Sequence, residues 1–205
     1  MSVLTPVSGS VEGASTPVLE TERLVLRAPR REDARAIAAL ANDRRIAENT
    51  ARILHPYGLA DAEAWIASVG TEASPDTFVI AIGGEVIGAC GCELRNGKPE
   101  IGYWLGVPFW GNGYATEAAR AVIGHAFGER FHPELHSGAR ISNPASRRVL
   151  EKCGFQWTGV SLLRVRAIAS SVPCDRFNLE RDIWVSLKNR SATHRRAVPA
   201  RSGAR

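Results

Sequence analysis

The chain has 205 residues, 44% of them hydrophobic, enough for one domain with a sizeable core, and no apolar run approaches the length of a membrane-spanning helix. Its formal charge of +5 is concentrated at the C-terminal end, where residues 188–205 carry Lys188, Arg190, Arg195, Arg196, Arg201 and Arg205 and no acid; the remainder is near neutral, which argues against a nucleic-acid-binding face. The four cysteines, Cys90, Cys92, Cys153 and Cys174, lack C-x-x-C spacing, so they offer no zinc-knuckle or redox motif and fit buried thiols in a reduced cytoplasm, and no metal site is expected.

Residues 1–18 lack the basic start and long apolar core of a secretory signal and read as a disordered lead-in. Residues 19–28 read as a strand with Leu24 and Leu26 on one face, ended by Pro29. Arg31-Glu32-Asp33 places acids at the start of a helix that continues to residue 41. Residues 42–57 read as irregular, either a ligand-selecting loop over a rigid sheet or a solvated connector. A second helix covers 61–69, with Ala62, Trp65, Ile66 and Val69 on one side, and Ser74-Pro75-Asp76 breaks the pattern. Strands follow at 78–82 and 85–94, joined by Gly83-Gly84, a strong two-residue hairpin signal; Asn96-Gly97 marks the next turn.

The stretch 100–120, EIGYWLGVPFWGNGYATEAAR, is the centre of the pattern. Residues 100–105 alternate as a strand, with Ile101, Tyr103 and Leu105 on one face and Glu100, Gly102 and Trp104 on the other. Pro108 interrupts the ladder, Gly111-Asn112-Gly113 turns the backbone, and a helical apolar spacing begins near Tyr114. The open N–H groups of that helix start, approached through glycines, form a candidate anion cradle; an ordinary strand-to-helix turn is the plainer alternative. Beyond it, residues 135–141 read as a strand and 143–153 as a helix, with Asn143 as cap, Pro144 at the first position and Gly154 as terminator. Residues 155–160 read as a strand, 161–174 as a strand end and loop, 176–185 as a final strand, and 188–205 as a flexible basic tail. The organisation is one domain over 19–187, without repeats.

Together, EIGYWLGVPFWGNGYATEAARAVIGHAF and the later ISNPASRRVLEKCGF resemble the GNAT acyltransferases, and more closely the RimJ/RimL branch, which acetylates N-terminal or other amines. The resemblance is strongest over 100–155. The family pattern, Arg or Gln, two residues, Gly, one residue, then Gly or Ala, falls on Trp110, Gly113 and Ala115; Trp110 departs from the general pattern and suits the branch. The fold implied is α+β in three layers, α/β/α, with a mixed, mostly antiparallel sheet and a splayed central strand pair. The resemblance further implies that the backbone of Gly111, Asn112, Gly113, Tyr114, Ala115 and Thr116 holds the coenzyme A pyrophosphate, with Glu117 excluded as a ligand by its charge. Trp104, Leu105 and Val107 would meet the pantetheine arm mainly through backbone atoms, although Trp104 and Leu105 could equally be core residues. Asn143 would bond the arm as well as cap its helix.

For chemistry, the resemblance points to Glu100 as a base acting through water, with Glu93 in reserve, and to the Leu105 N–H as oxyanion donor. Many family members place a tyrosine acid in the later helix, where this chain has Leu150, so Ser146 is the substitute. Both Glu100 and Ser146 also admit plain readings, as a strand-end acid and a first-turn helix residue. His125 and His136 read as surface residues, not bases. Nothing adjacent to Cys153 would activate it, so the implied route is direct attack in a ternary complex.

The expected function is acetyl transfer from acetyl-CoA, as co-substrate, to a protein N-terminal amine or a small amine, with no metal, nucleic acid or membrane involved, in the cytoplasm; a homodimer is compatible. Segments 42–58 and 161–174, with more basic than acidic residues, disfavour a polycationic acceptor. The alternative is a non-catalytic acyl-CoA-binding or regulatory module. A dinucleotide oxidoreductase fits poorly, since the third glycine and a βαβ unit are missing, and a P-loop would need G-K-[ST].

Overall fold

Hydrophobic alternation and two primed turns draw the middle of the chain into a three-stranded meander, on which every other element is mounted. The computed structural model describes residues 16–69 and 76–197, with side chains to residue 190. The lead-in over 1–15, the start of the break at 74–75 and the end of the tail at 198–205 lie outside the described residues. In chain order the elements are β1 (Leu19–Glu20), β2 (Val25–Arg27), α1 (Ala34–Ala41), α2 (Arg44–Ala47), α3 (Leu59–Ser68), β3 (Asp76–Ile82), β4 (Glu85–Arg95) and β5 (Lys98–Leu105). There follow α4 (Tyr114–Gly128), β6 (Glu134–Arg140), α5 (Pro144–Lys152), β7 (Gln156–Val165), β8 (Ser170–Glu180) and α6 (Arg181–Ala197).

The eight strands form one sheet in the order β1-β2-β3-β4-β5-β6-β8-β7. All pairs are antiparallel except β5 with β6, which is parallel and rests on a single register pair, Glu100 with His136. The hairpin turns have positive φ at both central residues, 57° and 88° at Gly83 and Gly84, 50° and 75° at Asn96 and Gly97, which matches the twist of the strands they join. One face of the sheet packs Phe78, Ile80, Ile101 and Leu105 against Val122, Ile123 and Phe127 of α4. The other face packs Val79 and Val86 against Ala34 and Ile37 of α1 and Ala62 of α3. The mixed, three-layer arrangement is the one expected.

Four local readings change. The first strand is two short strands, because Thr21 closes a turn on Leu24 through its N–H (2.9 Å) and its hydroxyl (2.9 Å). Segment 42–57 contains α2, whose first turn is capped by Asp43 accepting from the Arg45 N–H at 2.8 Å. The strand end and loop expected over 161–174 are the outer part of a long hairpin, β7 with β8, paired from Gln156 to Val165. The final strand ends at Glu180, not at 185, and the chain is helical to Ala197 where strand and then flexible tail were expected. Ile183, Trp184 and Leu187 have helical spacing, and Trp184 stacks on Phe127 with centroids 5.1 Å apart. Leu187 lies over Gly154, where an added Cβ would come within 2.5 Å of its Cδ1.

Two glycine substitutions separate packing from backbone entropy. A Cβ on Gly88 would sit 2.2 Å from the Trp104 carbonyl oxygen and 2.9 Å from Leu105 Cα, whereas one on Gly124, inside α4, meets nothing within 4 Å. Gly88→Ala should therefore lower the unfolding free energy by about 1–3 kcal/mol or more, and Gly124→Ala should raise it by about 0.5–1 kcal/mol. Urea midpoints of the two variants check both signs.

Candidate active site

The strand β5 leads into a short turn at Val107–Phe109 and then into the glycine loop, so the mouth of α4 opens where β5 leaves the sheet. Gly111 (φ 80°) and Gly113 (φ 81°) both hold left-handed backbone, which a side chain would strain. The loop is fastened from three sides. Trp110 donates its indole N–H to the Leu105 carbonyl at 2.8 Å, Asn112 donates its amide to the Trp110 carbonyl at 3.1 Å, and Arg23 donates to the Asn112 carbonyl at 3.1 Å. Gly113 is the N-cap and supplies no capping side chain; the helix begins with the Glu117 N–H donating to the Gly113 carbonyl at 3.1 Å. The first-turn N–H groups ahead of Glu117 are thus directed outward, at the positive end of a 15-residue helix.

Glu117, in the first turn, is not free to repel an anion. It accepts from the Thr21 hydroxyl at 2.7 Å, from the Arg23 N–H at 2.9 Å and from Arg23 Nε at 2.7 Å. Burial works against its charge, but these bonds hold the carboxyl below the usual glutamate range. Arg23 also lies over the Tyr114 ring, 4.7 Å from its centroid, so the β1–β2 turn brings a cation to the mouth of the helix.

On the α4 side of β5, Tyr103 reaches the first turn of α5. Its hydroxyl is 3.0 Å from Ser146 Oγ and also donates to the Ser146 carbonyl at 3.0 Å. Asn143 Oδ1 accepts the Ser146 N–H at 3.1 Å, which fixes that turn as the cap pattern requires. Burial pushes the Tyr103 phenol well above its ordinary value, a shift only partly opposed by Ser146, so it stays a protonated donor.

On the α1/α3 side, the antiparallel register sets Glu93 of β4 directly opposite Glu100 of β5. Like charges so placed are destabilising unless compensated. Here Arg176 of β8 donates to Glu100 at 2.7 Å, Arg95 stands 3.5 Å from its other oxygen, and Arg52 pairs with Glu93. Burial works against the Arg176 charge; the Glu100 bond offsets it and holds the guanidinium pKa above its ordinary value.

One cavity of about 1100 Å³ joins these parts. It is lined by Glu93, Glu100, Trp104, Leu105, Gly111, Gly113, Tyr114, Ala115, Thr116, Asn143 and Ser146 among the residues singled out from the sequence. Val107 and Asn112 are not part of its lining; Asn112 instead braces the loop. His125 is buried rather than on the surface, bonded to Asp76 at 2.9 Å beside Arg130, and His136 bonds Glu134 at 2.9 Å; neither lines the cavity. Burial pushes the Cys153 thiol up to about 11 and the Cys92 thiol up to about 12, and raises Cys90 and Cys174 too.

Sequence reasoning missed Tyr103, Arg23, Arg95 and Arg176. Tyr103 shares its strand face with Ile101 and Leu105, so alternation assigns it to the core. The arginines are recruited by register and turn geometry, for which spacing in the chain carries no signal.

The sequence profile described as "Acetyltransferase (GNAT) domain" matches residues 23–156. The chain is 31% identical over 174 residues to "Uncharacterized N-acetyltransferase YoaA" of Bacillus subtilis (strain 168), covering 78% of this chain and 93% of that one. It is 30% identical over 149 residues to "Uncharacterized N-acetyltransferase p20" of Bacillus licheniformis, covering 69% and 84%. Among solved structures, Mycobacterium smegmatis RimJ in complex with CoA-disulfide has the same fold, with TM-score 0.71 at 20% identity, covering 88% of this chain and 96% of that one.

The Glu117 anchor makes the mouth of α4 acid-sensitive. Its folded pKa is depressed, so the stability it lends is complete above the unfolded-state value near 4.3 and is lost as pH falls through the lower folded value. Glu117→Gln should remove this contribution: the urea midpoint should fall at neutral pH, and its decline below about pH 4.5 should be shallower than in the parent protein.

Proposed function

The chain belongs to the GNAT acetyltransferases, as an acetyl-CoA-dependent N-acetyltransferase, and on that footing we propose that it acetylates a protein N-terminal or small-molecule amine by direct attack within a ternary complex. The observation that carries this reading is the single cavity shared by the α4 mouth, the Tyr103–Ser146 pair and the Glu93–Glu100 face. The diphosphate is assigned to the first-turn N–H groups of α4, with Arg23 beside them, because a helix start opened by glycines favours a bound anion. The pantetheine arm is assigned to the gap between β5 and β6, where an extended ligand bearing amides can take the place of a missing strand. Asn143 and the backbone near Trp104 and Leu105 line that path. The Leu105 N–H is assigned to the carbonyl oxygen; the Leu105 carbonyl itself is occupied by Trp110.

In the transfer, the amine nitrogen bonds to the thioester carbonyl carbon, the C–S bond breaks, and the amine loses a proton. Glu100 receives that proton through water, since its carboxylate lines the cavity with lone pairs beyond those used by Arg176. Ser146 relays a proton to the departing thiolate, its hydroxyl proton passing to sulfur while the same oxygen takes one from cavity water, with the hydroxyl positioned by Tyr103. Direct attack is supported by the cysteines: all four are buried, and burial raises each thiol, which disfavours the thiolate an acyl-enzyme would need.

Free thiol release from acetyl-CoA, followed across a panel of amines and short peptides, tests the activity. Glu100→Gln should lower kcat by about 10²-fold or more while retaining coenzyme A binding; undiminished turnover would remove Glu100 from the mechanism. Ser146→Ala should reduce kcat by about tenfold or more, and Tyr103→Phe should reduce it less than Ser146→Ala does. Intact mass of the enzyme incubated with acetyl-CoA alone should show no acetylated protein; a stable acetyl adduct on a cysteine would overturn direct attack.

A further inference from the structure

The acceptor side of the cavity carries more guanidiniums than carboxylates. Glu93, Glu100 and Asp61 line it, the glutamates already paired and Asp61 accepting the Gly58 N–H at 2.8 Å, against Arg52, Arg95, Arg166 and Arg176. Arg52, Arg95 and Arg176 are the partners of the two glutamates. Arg166, at the tip of the β7–β8 hairpin, has no carboxylate partner among the described residues, yet it lines the cavity. Its place is fixed by its backbone, whose N–H donates to the Ala51 carbonyl at 3.1 Å. That bond ties the hairpin tip to the segment that follows α2, so the guanidiniums of Arg52 and Arg166 come from two segments that meet over the site.

Space for a bound molecule lies beside the paired glutamates: Gly91 and Gly102 pair in register, and a Cβ on Gly102 would meet nothing within 4 Å.

Resting on the acetyl-transfer reading above, we propose that the acceptor is an amine that carries its own anionic group, a carboxylate within a few bonds of the nitrogen, and that Arg166 receives that group. A surplus of guanidinium charge repels an ammonium that brings no counter-charge, so a simple cationic amine is bound poorly. The same surplus disfavours the ammonium form once bound, which is the form that must lose a proton before attack. A carboxylate on the acceptor supplies the missing charge and leaves the nitrogen free to face Glu100, which lines the same cavity. Arg166 is then the residue that decides which amines enter, and the charge pairs around Glu93 and Glu100 are left intact.

The test compares acceptors matched in everything but charge. Free α-amino acids are paired with their amides, and tripeptides with an acidic second residue are paired with versions carrying the corresponding side-chain amide. The anionic member of a pair should have a kcat/KM at least about tenfold higher. For the amino acids the bias runs against this outcome, since the amide has the more readily deprotonated amine. The two sets of pairs distinguish a free amino acid from a peptide terminus as the source of the carboxylate. Arg166→Gln should reduce the preference at least about tenfold, with titration of coenzyme A reporting that the fold and the other half of the cavity persist. Neutral members acetylated as fast as anionic ones, or a preference untouched by Arg166→Gln, would overturn this inference and leave acetyl transfer standing. Failure to acetylate any amine would overturn the functional reading and this inference with it.

Discussion

A single register pair, Glu100 with His136, is the backbone pairing at which the two halves of the sheet meet. On one side of it β5 is paired along its whole length with β4; on the other, β6 is paired along its whole length with β8. Beyond that pair the two parallel strands part, and Ser137 bridges them by donating its hydroxyl to the Ile101 carbonyl at 2.8 Å. Parallel strands that diverge leave backbone groups without partners. Those groups face a cavity, and the loop after β5 delivers a glycine-opened helix start to its edge. A strand gap and a helix mouth thus share one cavity because β5 supplies a wall of the first and the approach to the second.

The Glu93–Glu100 face illustrates how charge is kept inside such an opening. Placing Glu93 and Glu100 in register would be unfavourable on its own. Compensation comes from Arg52 before the meander, Arg95 within it and Arg176 from β8, residues far apart in the chain. The network therefore closes only when both halves of the sheet are assembled, and it holds Glu100 beside the gap. Its arginines exceed its carboxylates, so the face is left with a surplus of positive charge.

Across β5, the hydroxyl chemistry is arranged differently from what the later helix alone suggests. Leu150, at the position where a tyrosine was sought, is fully buried in the core. The tyrosine arrives instead from the strand: Tyr103 meets Ser146 from below, and Asn143 holds the same turn from its cap. Burial keeps the phenol protonated, so the pair presents donors to the cavity wall without an exposed ionisable group. Trp110 has a comparable bracing role, its indole occupying the Leu105 carbonyl and fixing where the glycine loop starts.

Much of this protein was legible in local chemistry. Glycine pairs marked the primed turns, alternation assigned the faces of β5, and the Asn143-Pro144 start and Gly154 stop bounded α5 to within a residue. Each of these signals depends on neighbours in the chain, where steric limits and hydrogen-bond geometry act over a few residues. The errors fell where local preference was ambiguous. Segment 181–187 is rich in residues suited to a strand but is helical, because that placement seats Trp184 on Phe127 and Leu187 over Gly154. His125, on an otherwise apolar helix face, read as a surface group but is buried against Asp76.

By itself, then, the sequence determined the strands of the meander, the turns between them and the glycine-opened start of α4, all set by backbone geometry that short segments encode. Only the tertiary structure decided that Tyr103 would meet Ser146, that Glu100 would be clamped by arginines, and that Arg166 would line the cavity without a carboxylate partner among the described residues. Those outcomes depend on strand register and on side chains converging from distant segments. Electrostatic pairing and hydrogen bonding act through space at a few ångströms, and separation along the chain does not fix that distance.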